Sequence, residues 1–188
     1  MNTTIRQTSF AVTALTLLAL APAAFADKGD SDAIKRGGQL VAFGGCVDCH
    51  TPFKIGPNGP EKDMSRGMSG HPEGIVLPPP PALSNEWNWA GAATGTAFVG
   101  PWGTTYAANL TPDKETGMGG WKEKEFIQAM RTGKHMGVAR PIMPPMPWQG
   151  LSGLPERDLR AIYAYLMAQP AVKNRVPDYV PPAAGETR

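Results

Sequence analysis

Hydrophobic residues recur at the spacing of an amphipathic helix in three segments of the chain, residues 30–44, 121–132 and 155–167. The last segment has the clearest pattern, in which apolar residues follow i, i+3, i+4 and i+7: Leu159, Ile162, Tyr163 and Leu166. Pro155 suits the first position of a helix, because an N–H at that position would have no partner within the helix. The middle segment is expected to end before Gly133, since glycine favours the residue after a helix. The pattern therefore predicts three helices.

The first predicted helix contains two consecutive glycines, Gly37 and Gly38. Each glycine costs about 1 kcal/mol relative to alanine inside a helix. Such a cost indicates that another part of the chain approaches the helix closely at this point. We therefore expect the first and last helices to pack together.

The first 26 residues have the three parts of a secretory signal peptide. Arg6 precedes an apolar run at residues 10–21, and Ala24-Phe25-Ala26 matches the A-x-A cleavage pattern. The apolar run is too short for a membrane span and is followed by Pro22. We expect cleavage after residue 26, a mature chain without a membrane span that begins at Asp27, and a periplasmic location.

The remaining chain of about 160 residues has the size of one domain. We assign residues 27–170 to this domain and residues 171–188 to a polar, Pro-rich tail that is expected to be extended or mobile. Arg6 is one of 18 Lys and Arg residues, against 16 Asp and Glu residues, so the mature chain is close to neutral. This balance gives no indication of nucleic-acid binding.

Cys46, Cys49 and His50 form a C-x-x-C-H motif, and the chain has no other cysteine. At this spacing each thiol can add to one vinyl group of a haem, which gives covalently bound haem c, and the histidine can bind the iron. A thioredoxin-type redox pair would require a βαβ context, which the Gly/Pro-rich flanks do not offer. A zinc site would need four ligands, and the other histidines, His71 and His135, are isolated and interpreted as solvent-facing loop residues. A disulfide across so short a loop would add little stability.

Residues 51–108 lack helical periodicity and contain many of the 22 glycines and 20 prolines of the chain. So long a connection is unusual in a compact domain, and we interpret it as an excursion around the haem. A carbonyl near Pro57 or Pro60 is expected to accept the Nδ1 hydrogen of His50, because such contacts commonly orient histidine ligands.

A histidine-bound haem iron needs a second axial ligand, and a methionine thioether would raise its reduction potential. Among the nine methionines, the two in the Pro-rich segment 140–148 are the best candidates, because prolines hold the backbone extended. Met143 and Met146 are separated by one turn of a polyproline II helix, roughly 9 Å, so only one of them can bind the iron.

Several further motifs accompany these residues: Thr51-Pro52 after the histidine, Asn-Leu-Thr-Pro-Asp at 109–113, Glu-Thr-Gly at 115–117, Gly-Trp at 120–121, Pro-Pro-Met-Pro-Trp at 144–148, and Asp-Leu with Ala-Tyr-Leu at 158–166. With them the chain resembles the class I cytochromes c, in particular the bacterial periplasmic branch found as separate carriers or as subunits of membrane-bound dehydrogenases. The resemblance implies an all-α cytochrome c fold, with few helices and long Gly/Pro-rich loops around one covalently bound haem. It also implies that Met146 is the second iron ligand.

The resemblance implies an electron-transfer protein that is not itself an enzyme. Similar dehydrogenase subunits often carry several C-x-x-C-H motifs, whereas this chain has one, so a single haem c is expected. The expected partners are a membrane-bound dehydrogenase and a terminal oxidase or another acceptor. Two alternatives are an enzyme or gas sensor with Met146 labile, and a structural or assembly subunit whose haem is not turned over.

Overall fold

The structure is a computed structural model that describes residues 28–84 and 86–182. The proposed signal peptide at residues 1–26 and the end of the predicted tail, residues 183–188, lie outside this part of the chain. No helix within the described ranges has the length and apolar character needed to cross a membrane.

Five α-helices are present in the described residues: α1 Lys28–Phe43, α2 Cys46–His50, α3 Glu123–Thr132, α4 Trp148–Ser152 and α5 Glu156–Met167. The three helices predicted from periodicity correspond to α1, α3 and α5, with boundaries that differ by one or two residues. The two remaining helices have five residues each, which is too short for an amphipathic pattern to be read. The hydrophobic core lies among the longer helices and includes Val41, Phe126, Ala129, Leu159 and Leu166.

Segment 51–108 contains five short strands: β1 Phe53–Gly56, β2 Gly59–Lys62, β3 Ala90–Gly91, β4 Ala97–Gly100 and β5 Gly103–Tyr106. They form a two-stranded antiparallel sheet, β1–β2, and a three-stranded antiparallel sheet in the order β3–β4–β5. Tight turns join β1 to β2 and β4 to β5, so that Gly56 is opposite Gly59 and Gly100 is opposite Gly103. The all-α prediction thus describes the helical core and does not account for these two sheets.

Helices α1 and α5 pack closely, as the two consecutive glycines predict. A Cβ atom on Gly37 would overlap the carbonyl of Ala161, and one on Gly38 would lie 2.9 Å from the ring of Tyr165. At the same interface, the guanidinium of Arg36 donates two hydrogen bonds, of 3.2 and 3.1 Å, to the buried carboxylate of Asp158. The close approach therefore accounts for a glycine pair that helix propensity alone disfavours.

The first part of the predicted tail, residues 171–182, forms no helix or strand, has an isolated bridge at Val180, and is docked on the domain. The side chain of Asn174 is buried and donates to the carbonyl oxygens of Ser69 and His71 at 2.7 and 2.8 Å. Further along, Val180 and Thr104 exchange two backbone hydrogen bonds of 2.8 and 2.9 Å. These contacts hold the described part of the tail against the domain.

Candidate haem site

The C-x-x-C-H motif forms helix α2, which follows α1 after a two-residue turn. Gly45 adopts a left-handed conformation with φ of 64° at this turn, a conformation that residues with a Cβ atom rarely adopt. Its carbonyl oxygen accepts from the N–H of Asp48 at 2.9 Å, which begins the new helix. Cys46, Cys49 and His50 are thereby placed on a single helical turn, as haem attachment requires.

His50 is 7% exposed, and its Nδ1 lies 2.8 Å from the carbonyl oxygen of Ala108. Because a carbonyl can only accept, Nδ1 carries the hydrogen, and in the neutral ring the Nε2 lone pair remains available for a metal. Burial lowers the pKa of His50, and the bond to Ala108 opposes this shift, so the ring is held in the neutral form that binds iron.

The acceptor for His50 is not a carbonyl near Pro57 or Pro60, so that prediction is wrong. Residues 53–62 form the β1–β2 hairpin, in which Ile55 is opposite Pro60. The acceptor comes instead from the backbone just after β5, which is 58 residues distant from His50 in the sequence.

Both cysteine thiols are free and half-buried. Cys46 packs against the hydrophobic core, and burial is the main cause that raises the pKa of its thiol. Burial and the neighbouring carboxylate of Asp48 raise the pKa of Cys49. Two unpaired thiols followed by a neutral, oriented histidine are the donor set that covalent haem c requires, so these residues fit the cofactor.

Lys62, at the end of β2, also contacts the motif helix. Its ammonium group donates to the carbonyl oxygens of Asp48 and Thr51 at 2.5 and 3.0 Å, and it lies 3.7 Å from the centre of the Phe53 ring. A cation at this end of α2 satisfies carbonyls that have no partner within the helix. Sequence reasoning did not identify Lys62, because no sequence signal shows that the β1–β2 hairpin folds back on α2.

The methionine segment forms a turn and is not an extended polyproline helix. The N–H of Met146 faces the carbonyl of Met143 at 3.4 Å, across Pro144 and Pro145. Among the described residues, Met146 packs against the hydrophobic core that Cys46 also contacts, whereas Met143 does not. The expected separation of one extended turn therefore does not apply.

His71 is buried, so the interpretation of this residue as solvent-facing is wrong. Its Nδ1 lies 2.9 Å from the hydroxyl of Thr96, and its Nε2 lies 3.1 Å from the carbonyl oxygen of Ile75. Both ring nitrogens have protein partners, which indicates a structural role. His135 is half-buried, and its ring meets the ring of Trp121 edge-on at a centroid distance of 4.7 Å.

No protein-family model matches the chain. Among curated proteins, it is 31% identical over 144 residues to a nicotinate dehydrogenase subunit of Pseudomonas putida, an alignment that covers 77% of this chain and 9% of that protein. It is 30% identical over 159 residues to the cytochrome c subunit of the quinone-type alcohol dehydrogenase of Gluconobacter oxydans, with 83% and 26% covered. It is 32% identical over 160 residues to the gluconate 2-dehydrogenase cytochrome c subunit of Pantoea cypripedii, with 83% and 28% covered.

The chain belongs to the c-type cytochromes. It is similar to cytochrome c subunits of dehydrogenases, which agrees with the family predicted from the motifs. The chain spans about a quarter of the length of the two cytochrome c subunits and a smaller share of the nicotinate dehydrogenase subunit. The similarity therefore covers most of this cytochrome c chain and only a part of each relative.

Proposed function

We propose that this c-type cytochrome carries one haem c, bound covalently through Cys46 and Cys49, and transfers single electrons without catalysing a reaction of its own. His50 and Met146 are the proposed axial ligands of the iron. When bound, the haem supplies reversible one-electron exchange at its iron. The chain holds and orients this group and excludes water from the histidine.

The observation that carries the proposal is the environment of His50. Its Nδ1 hydrogen is engaged by Ala108 at 2.8 Å, and its burial disfavours the charged ring. A histidine prepared in this way, one residue after an unpaired thiol, is suited to bind iron through Nε2. The bond to Ala108 also fixes the ring orientation, which keeps the ligand unchanged when the redox state changes.

Met146 completes the proposed ligand set. The thioether is a soft, uncharged donor, and it favours the reduced form of a haem. If His50 and Met146 both held the iron, no position would be open for a substrate, which would favour a carrier over an enzyme or gas sensor.

The proposed partners are a membrane-associated dehydrogenase as electron donor and a terminal oxidase or another acceptor, with the exchange taking place in the periplasm. Support for the donor comes from the relatives, whose names identify them as dehydrogenase subunits. Redox partners commonly form small, short-lived complexes. Because the formal net charge of the whole chain is only +2, local charged patches are expected to guide docking more than the overall charge.

The proposal can be tested with purified holoprotein and membranes from the host. Oxidised protein should be reduced when membranes and an oxidisable alcohol, sugar or aldehyde are added, and reduced protein should be reoxidised when membranes and oxygen are added. A Cys46→Ser/Cys49→Ser variant, prepared in the same way, is the matched control without attached haem. Rapid binding of carbon monoxide, with turnover of a small molecule, would contradict the carrier function and favour an open iron site.

A further inference from the structure

Strand β5 and the residues after it contact both segments that carry the proposed axial ligands. The hydroxyl of Thr105 donates to the carbonyl oxygen of Pro144 at 2.8 Å, within the turn that leads to Met146. Three residues after Thr105, the carbonyl of Ala108 accepts from His50 at 2.8 Å. One short length of backbone therefore bonds to the histidine helix and to the methionine turn.

Backbone hydrogen bonds to other segments hold this length of backbone in place. Thr104 exchanges two backbone hydrogen bonds with Val180 of the docked tail. The N–H of Ala107 donates to the carbonyl of Thr96 at 2.8 Å, and its carbonyl accepts from the N–H of His71 at 3.0 Å. A segment held in this way can fix the positions of the two groups that bond to it, the ring of His50 and the methionine turn.

The methionine turn has few hydrogen bonds of its own. Pro144 and Pro145 have no N–H to donate, and the bond that closes the turn, from Met146 to Met143, is long at 3.4 Å. The hydroxyl of Thr105 is buried with the rest of its side chain and makes the shorter contact to this turn. Two outside contacts therefore hold the turn: this bond from Thr105, and the bond of 2.7 Å from the N–H of Ile142 to the carbonyl of Gly133 just before it.

We infer that Thr105 is a positioning residue that holds the methionine turn, and with it the thioether of Met146, at a fixed place relative to His50. This inference rests on the proposed ligation by His50 and Met146. A movement of the turn that carried Met146 away from the iron would break the bond between Thr105 and Pro144. Loss of that bond should therefore make the methionine easier to displace.

The test compares Thr105→Val, which removes the hydroxyl at nearly constant shape, with Thr105→Ser, which retains it. Thr104→Val is the matched control on the same strand, because Thr104 contacts the tail through its backbone. Imidazole is titrated into each oxidised holoprotein, with loss of the far-red methionine-to-iron band as the signal. Thr105→Val should bind imidazole about three- to tenfold more tightly than the wild type, the range that corresponds to one lost hydrogen bond. Thr105→Ser and Thr104→Val should stay within about twofold of the wild type.

Met146→Ala is measured alongside to separate the two proposals. If Met146→Ala keeps the far-red band, the ligand assignment is wrong and the role of Thr105 is refuted with it. If Met146→Ala loses the band while Thr105→Val binds imidazole like Thr104→Val, the inference about Thr105 is refuted and the ligation is supported. A purely structural role of Thr105 would lower stability without changing imidazole competition in the folded protein. If Thr105→Val does not fold, Thr105→Ala takes its place in the same comparison.

Discussion

Replacement of Asn174 by alanine should strongly destabilise the protein, because this tail residue bonds to four separate groups. Its Nδ2 donates to the carbonyl oxygens of Ser69 and His71 at 2.7 and 2.8 Å. Its Oδ1 accepts from the guanidinium of Arg66 at 2.7 Å and from the N–H of Glu73 at 2.9 Å. Asn174 is 1% exposed, so water does not reach these groups freely.

The magnitude follows from the groups that lose their partner. A buried polar group left without a hydrogen bond costs about 1–3 kcal/mol, and water entering the space of the lost side chain would recover part of that cost. We expect Asn174→Ala to lower the free energy of unfolding by about 2–5 kcal/mol. This is a large share of the about 5–15 kcal/mol by which most domains are stable.

Urea unfolding of the holoprotein, followed by circular dichroism and extrapolated to zero denaturant, measures this change. Lys173→Ala is the matched control, because Lys173 is the preceding residue and its ion pair with Glu115 lies on the surface. Removal of such a pair should cost less than about 1 kcal/mol. If Asn174→Ala and Lys173→Ala are equally stable within experimental error, the tail does not contribute to the domain as the structure indicates.

Three further predictions concern the haem site and the packing of the helices. Acid–acetone extraction should leave the haem with the wild-type protein, whereas the Cys46→Ser/Cys49→Ser variant should release any haem it holds; release from the wild type would contradict covalent attachment. Met146→Ala should abolish the far-red methionine-to-iron band and lower the reduction potential, and the same result from Met143→Ala in its place would show that the other methionine is the ligand. The hydrogen-bonded ion pair with Arg36 of α1 lowers the pKa of Asp158. The ion pair therefore stabilises the folded protein fully above the ordinary Asp pKa of about 3.9, and this stabilisation is lost as the pH falls through the lower pKa of the folded state. Asp158→Asn should reduce the loss of stability in that acidic range, as measured by urea unfolding across pH.

Local signals in the sequence were sufficient for the C-x-x-C-H motif and for the three long helices, but not for the short helix that the motif forms. The C-x-x-C-H spacing predicts covalent attachment of a haem, and the structure brings its three residues together in helix α2. The apolar spacing at residues 155–167 predicts α5 because a long helix repeats its buried face several times. The glycine pair at Gly37 and Gly38 even predicts which helices pack together.

Contacts between distant parts of the chain could not be predicted in the same way. Ala108 accepts from His50 through its backbone carbonyl, a group that every residue has, so its side chain gives no signal of this role. His71 looks like an isolated loop histidine because Thr96, which bonds to its Nδ1, lies 25 residues later, and Ile75 bonds to it only through a backbone carbonyl. The short strands there were missed because each has four residues or fewer, and Gly or Pro residues interrupt so short a pattern.

The close packing of α1 on α5 also constrains the order in which the molecule can fold. The ion pair between Arg36 and Asp158 joins residues 122 positions apart, so the native interface of α1 cannot form until nearly the whole chain has been made. Closing so long a loop is slow compared with forming a local helix. Until α5 docks, the helix that precedes Cys46 and Cys49 lacks its packing partner, so the native interface does not yet hold the residues around the two thiols.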